Sequence, residues 1–119
     1  MKRSFSAVIA LSLVFLLTAA DAAAQRRIRF KRGSTSATVS GSIGVNRGVA
    51  GANYRSYVVR AGAGQTISAT LSSGNGRVWF VENDQTSYTV QADGTRDYVL
   101  RIYNGGANTI NYTLTVSIQ

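Results

Sequence analysis

The stretch Ile110-Asn111-Tyr112-Thr113-Leu114-Thr115-Val116-Ser117-Ile118 decides the fold. Apolar side chains stand at every second position, and asparagine, threonine and serine fill the places between. A period of two sends one set to a core and the other to water, which marks a half-buried strand and not a helix. Working back toward the N-terminus, the alternation recurs. Tyr98, Leu100 and Ile102 alternate with Val99, Arg101 and Tyr103. Tyr88 and Val90 are in phase within 87–91, and Val78 and Phe80 flank Trp79 within 77–81. Ile67, Ala69 and Leu71 alternate with Thr66, Ser68, Thr70 and Ser72. Tyr57, Val59 and Ala61 share one face of 54–61. Ala37, Val39 and Ile43 alternate with Thr38, Ser40 and Ser42. Ile28 and Phe30 alternate with Arg27, Arg29 and Lys31.

Turn chemistry separates these runs: Gly33-Ser34-Thr35, Gly62-Ala63-Gly64, Ser73-Gly74-Asn75-Gly76, Ala92-Asp93-Gly94 and Asn104-Gly105-Gly106. Glycine and asparagine supply the positive-φ positions that tight connections need. Short strands broken every 8 to 12 residues or so predict an all-β fold. The expected form is an antiparallel two-sheet β-sandwich of about eight strands, jelly-roll-like, with Greek-key links. One connection is long, the glycine-rich 44–53, and long loops on a small scaffold often carry function.

Residues 1–24 read as a secretory signal peptide. Lys2 and Arg3 open the chain, an apolar run follows to Ala20, and Ala22-Ala23-Ala24 precedes Gln25. That run is too short to read as a membrane span of the mature protein. The expectation is a periplasmic or secreted product, cleaved near Ala24, with 25–119 as a single domain. Of thirteen basic and five acidic side chains, Lys2, Arg3 and Asp21 fall in the leader, which leaves eleven and four, a net charge of +7. Such a charge favours a monomer, or at most a weak dimer, and attraction to anionic partners such as wall polymers or acidic proteins. No nucleic-acid-binding motif is present. Cysteine, proline and histidine are all absent. An exported chain without cysteine must hold by packing and hydrogen bonds alone.

The residue inventory argues against catalysis. With no histidine or cysteine, the usual nucleophile–base pairs are missing, and Lys31 is the one lysine after the leader. A glycosidase needs two carboxyl groups across a cleft, whereas Glu82 and Asp84 are near neighbours, as are Asp93 and Asp97. Glu82-Asn83-Asp84-Gln85 offers oxygen ligands at a spacing that matches no recognised calcium loop. No metal site, no cofactor and no enzymatic activity are expected. The basic run Arg26, Arg27, Arg29, Lys31 and Arg32 reads either as a docking strip for an anionic surface or as an edge strand guarded by charge. Trp79 and Tyr103 are out of phase with the core set. They either pack under a loop or stand as exposed anchors beside Arg101, and aromatic residues with arginine carry much of the energy of binding interfaces.

Four stretches carry a family likeness: Ile28-Arg29-Phe30-Lys31-Arg32-Gly33 followed by Ser36-Ala37; Gly41-Ser42-Ile43; Tyr54-Arg55-Ser56-Tyr57 running into Ala61-Gly62-Ala63-Gly64-Gln65; and Asp97-Tyr98-Val99-Leu100-Arg101-Ile102 before the terminal strand. Together they resemble the periplasmic inhibitors of goose-type lysozyme, and the wider pre-peptidase C-terminal domain, a bacterial β-sandwich. The resemblance implies a protein that occludes a lysozyme active site. The family's Ser-Gly-x-Tyr stretch corresponds to Thr95-Arg96-Asp97-Tyr98, where the tyrosine is kept and the Ser-Gly pair is replaced. Arg101 matches the family arginine, and Tyr54 and Tyr57 its tyrosine-rich strand start. The residues expected to bind a partner are Arg101, Tyr98, Tyr54, Thr95, Arg96, Tyr103 and Trp79. The alternative is a non-catalytic module that binds peptidoglycan or another anionic wall polymer.

Overall fold

A computed structural model of the chain describes residues 25–119; the leader read at 1–24 and its cleavage point lie outside the described residues. The strands are β1 (Gln25–Arg27), β2 (Ser36–Ile43), β3 (Tyr54–Ala61), β4 (Thr66–Ser73), β5 (Val78–Phe80), β6 (Ser87–Gln91), β7 (Arg96–Asn104) and β8 (Ile110–Ile118). They form two four-stranded sheets, ordered β1-β3-β7-β5 and β2-β8-β4-β6. Odd-numbered strands make the first sheet and even-numbered strands the second, so every connection crosses from one sheet to the other. The jelly-roll-like sandwich expected from the alternation is the fold.

The facing surfaces hold the in-phase residues. Tyr57, Val59, Leu100, Ile102, Val78 and Phe80 come from the first sheet, and Ile43, Ile67, Leu114 and Val116 from the second; all are almost fully buried. Each such side chain contributes about 1.5–3 kcal/mol by leaving water.

Two details differ from the sequence expectation. One strand pair is parallel: β1 runs alongside β3, with Gln25 opposite Ser56 and Arg27 opposite Val58. The path between them passes through the second sheet, and such a crossover permits the parallel direction that a hairpin forbids. The expected strand over 27–31 also stops at Arg27. After one further ladder bond, from Ile28 N–H to Val58 O (2.8 Å), the chain leaves the first sheet for β2. Ile28 and Phe30 still turn inward against the core, so they close the side of the sandwich without pairing. Gly33, at φ 81°, makes the turn that ends this seam. The basic run therefore crosses between the sheets and does not line one strand.

Asn104 is the buried polar residue that fixes one end. Its Nδ2 donates to Ile43 O (3.3 Å), Gly44 O (3.1 Å) and Asn108 O (2.9 Å), and its Oδ1 accepts Gly106 N–H (2.8 Å). The β2–β3 and β7–β8 loops are thereby tied together. This satisfaction is what makes a 3 % exposed amide tolerable.

Candidate functional site

β3, β7 and β5 are neighbours, and their register opposes Tyr54 to Tyr103 and Trp79 to Tyr103. Residues opposite one another in a ladder point to the same face, and here it is the face turned away from the core. Three aromatic rings therefore stand in one row across three strands. Ring centroids are 5.9 Å apart for Tyr54 and Tyr103 and 5.6 Å for Trp79 and Tyr103, both pairs tilted. Such spacing lets each ring stiffen the next. Tyr54 is 48 % exposed, while Tyr103 and Trp79 are half-buried.

Tyr103 and Trp79 each have their own support. The Tyr103 hydroxyl donates to Asp84 Oδ1 at 2.8 Å. Asp84 reaches it from a tight turn in which its own φ is 57°, with its N–H donating to Phe80 O at 2.8 Å. Loss of solvent, and then the Asp84 carboxylate, raise the Tyr103 pKa above the ordinary phenol range, so the hydroxyl stays a donor. Trp79 lies on the bare Cα of Gly105, where a Cβ would overlap its six-membered ring. Gly105 N–H in turn donates to Arg77 O at 2.8 Å.

Arg101 lies two residues before Tyr103 on the same outward face, opposite Ser56. Its backbone N–H donates to Glu82 Oε1 at 3.2 Å. Among the described residues the ion pairs are Arg27–Asp97, Arg60–Asp97 and Arg96–Asp93; the Arg101 guanidinium joins none of them. The 44–53 loop borders the row. Arg47 donates to Ala107 O (3.2 Å), Asn53 O accepts Asn104 N–H (2.9 Å), and Val49 is 65 % exposed. Asn53 Oδ1, next to Tyr54 in the chain, is buried without a hydrogen-bond partner.

The seven residues expected at a binding surface divide into two groups. Tyr54, Tyr103, Trp79 and Arg101 come together. Thr95, Arg96 and Tyr98 sit toward the other end of β7, from roughly 17 Å (Tyr98) to roughly 27 Å (Thr95) from Tyr103 along the strand. Tyr98 faces inward and is 7 % exposed. Its hydroxyl lies 2.7 Å from Gly94 O and 2.9 Å from Asp93 Oδ1, which share its one proton, and the Arg96 guanidinium covers its ring at 4.0 Å. Thr95 Oγ1 accepts Ala63 N–H at 3.1 Å. This group braces the β6–β7 turn. Of the seven, Tyr98 is the one whose ring strand phase turns to the core, so it does not stand on the outward face that carries Tyr54 and Arg101.

Asp84, Glu82 and Gly105 support the site, whereas in the sequence the two acids read as near-neighbour oxygen groups of one loop and Gly105 as a turn residue. No signal in the chain places them beside Tyr103, Arg101 and Trp79, because those neighbours arise across strands. Among the described residues no group of three or more His, Cys, Asp or Glu side chains converges to hold a metal. The Asp97 carboxyl is held below the usual range by its hydrogen bonds from Arg27, and the Asp93 carboxyl by Tyr98 and then Arg96. Carboxylates held ionised in this way are poor proton donors. What the arrangement offers is a firm aromatic strip with one available cation.

No family model matches the chain, and no curated protein matches it. Solved structures do. PliG of Aeromonas hydrophila, a periplasmic inhibitor of g-type lysozyme, aligns with a TM-score of 0.57 at 18% identity over 80% of this chain and 96% of its own. PliG of Salmonella Typhimurium, with the same description, aligns with a TM-score of 0.57 at 19% identity over 80% and 97%. The pre-peptidase C-terminal domain of a Bacillus anthracis collagenase aligns with a TM-score of 0.45 at 16% identity over 78% and 94%. At these identities the likeness to the inhibitors is one of fold.

Proposed function

We propose that this chain is an exported, non-catalytic binding protein of the lysozyme-inhibitor type, and that the row Tyr54–Tyr103–Trp79 with Arg101 is the surface it presents to a g-type lysozyme. The observation that carries the reading is that row: three aromatic rings in succession, two of them braced from below, and one arginine outside every ion pair, side by side on an open sheet face. Rigid aromatics and arginine are the residue types that dominate binding energy. The fold shared with PliG inhibitors supports the same reading.

The mode of action is occlusion. A standard interface covers about 800 Å² on each partner, enough to take in the row and the adjoining 44–53 loop with Val49. Arg101 then meets acidic groups in the target cleft through charge-assisted hydrogen bonds. The net +7 of residues 25–119 selects a target that is acidic where it docks. Residues 1–24 direct export, to the periplasm or beyond, and 25–119 act as a monomer.

The test is the rate at which g-type lysozyme clears purified peptidoglycan. Micromolar protein slows it, and Arg101→Ala weakens the effect about tenfold or more. Absence of slowing at that concentration removes the reading.

The row also favours a second reading, since neighbouring exposed aromatic rings suit sugar rings. In that role the protein is retained on peptidoglycan in the absence of lysozyme, Trp79→Ala releases it, and lysozyme activity is untouched.

A further inference from the structure

The seam between the sheets carries Arg29, Lys31 and Arg32, and the aromatic row uses none of them. That row spans β3, β7 and β5, whereas the seam leaves the opposite edge of the first sheet, at β1. The seam runs beside β2, an edge strand of the second sheet. No charged residue occurs anywhere in β2, β4, β6 or β8. The outward positions of that sheet are serine, threonine, asparagine and glutamine. Among the described residues, neither Arg29 nor Lys31 takes part in an ion pair.

Between the seam and β2 lies an open cleft of about 360 Å³ lined by Arg29, Lys31, Ser34, Ser36, Ala37 and Thr38. Its donors are specific. Ser34 Oγ donates to Ser36 O (2.8 Å) and accepts Ser36 N–H (3.4 Å). The backbone groups of Ser36 therefore point away from β8, into the cleft side. Strand alternation turns the Thr38 N–H the same way, where an edge strand has no partner strand to receive it. The Ser36 hydroxyl adds a further donor.

We infer that Arg29, Lys31, the Ser36 hydroxyl and the Thr38 N–H form a binding site for a phosphate oxyanion, as carried by a phosphate ester or a phospholipid headgroup. Two cations without a counter-charge supply attraction, and the neutral hydroxyl and amide donors supply direction. A phosphate presents its terminal oxygens, three in a monoester and two in a diester, in a tetrahedral array that reaches donors set at different angles, whereas the two oxygens of a carboxylate lie in one plane. The site is separate from the aromatic row, and its failure leaves the lysozyme reading standing.

The test is a phosphate titration of the purified protein, followed through backbone amide resonances at constant ionic strength with chloride as control. Saturable shifts at Ser36 and Thr38 are expected with phosphate alone. The variant Arg29→Gln/Lys31→Gln weakens them about tenfold or more, with its other resonances and its effect on g-type lysozyme unchanged. Lys31→Arg keeps binding and Lys31→Glu loses it; both changes are at an exposed side chain, so the fold is retained. Equal response to chloride and phosphate, or undiminished binding in the double variant, overturns the site. Co-sedimentation with phosphatidylglycerol vesicles but not phosphatidylcholine vesicles, lost in the double variant, assigns the oxyanion to a lipid headgroup. Saturation by inorganic phosphate without vesicle binding assigns it to soluble phosphate esters.

Discussion

The phenol oxygens of Tyr57 and Tyr112 meet 2.5 Å apart inside the sandwich, one from each sheet. Both residues are buried, at 2 % and 3 % exposed. Gly41 makes room for the pair, since a Cβ there would stand 2.8 Å from the Tyr112 oxygen. Tyr112→Phe leaves the Tyr57 hydroxyl buried and unpaired, and costs about 1–3 kcal/mol. The double change Tyr57→Phe/Tyr112→Phe costs less than the sum of the single changes, because no orphaned group remains. Urea denaturation of the four proteins of the cycle measures the difference.

The same pair sets an alkaline limit. Burial, and then the hydrogen bond with Tyr57, raise the Tyr112 pKa well above the ordinary phenol range near 10. The unfolded chain therefore releases this proton at a lower pH than the folded one. The stability is fully present below about pH 10 and is lost as pH rises from there toward the folded value. Denaturant midpoints fall from about pH 10 upward, and Tyr112→Phe makes the fall shallower. A residual slope persists from Tyr103, whose pKa is raised too.

Gly105→Ala places a methyl group where the Trp79 ring lies. The ring must leave the backbone, which moves it away from Tyr103 and into water. A red shift of the emission from the chain's one tryptophan is expected, together with loss of partner binding about as large as that of Trp79→Ala. Unchanged emission shows that the ring does not rest there.

Asn104→Ala removes the amide that serves Ile43 O, Gly44 O and Asn108 O. A loss of about 3 kcal/mol is expected from the carbonyls left without a donor. Amide exchange rises in both 44–53 and 105–109, since those loops are joined through this side chain.

The alternation in 110–118, 87–91 and 54–61 maps directly onto β8, β6 and β3, because a two-residue period is a local property of the chain. The outward setting of Trp79 and Tyr103 was legible for the same reason. Register was not. That Tyr54 stands opposite Tyr103, and Tyr103 opposite Trp79, depends on pairings between strands distant in sequence. The family likeness grouped Tyr98 with Tyr54 and Arg101, while phase assigned Tyr98 to the core; strand geometry decided for phase. The seam failed as a strand because alternation records which way a side chain faces, and Ile28 and Phe30 face inward whether or not their backbone finds a neighbour.

β8 lies between β2 and β4, so the second sheet has no middle until the final stretch of polypeptide is available. Thr38 and Thr115, whose hydroxyls meet, are 77 positions apart. No adjacent pair of strands can zip up alone as a hairpin, since each step along the chain changes sheets. Assembly must wait for distant partners, which places folding on the millisecond-to-second scale of non-local β topologies. Deletion of 110–118 would strand two edges at once and leave a chain unable to close.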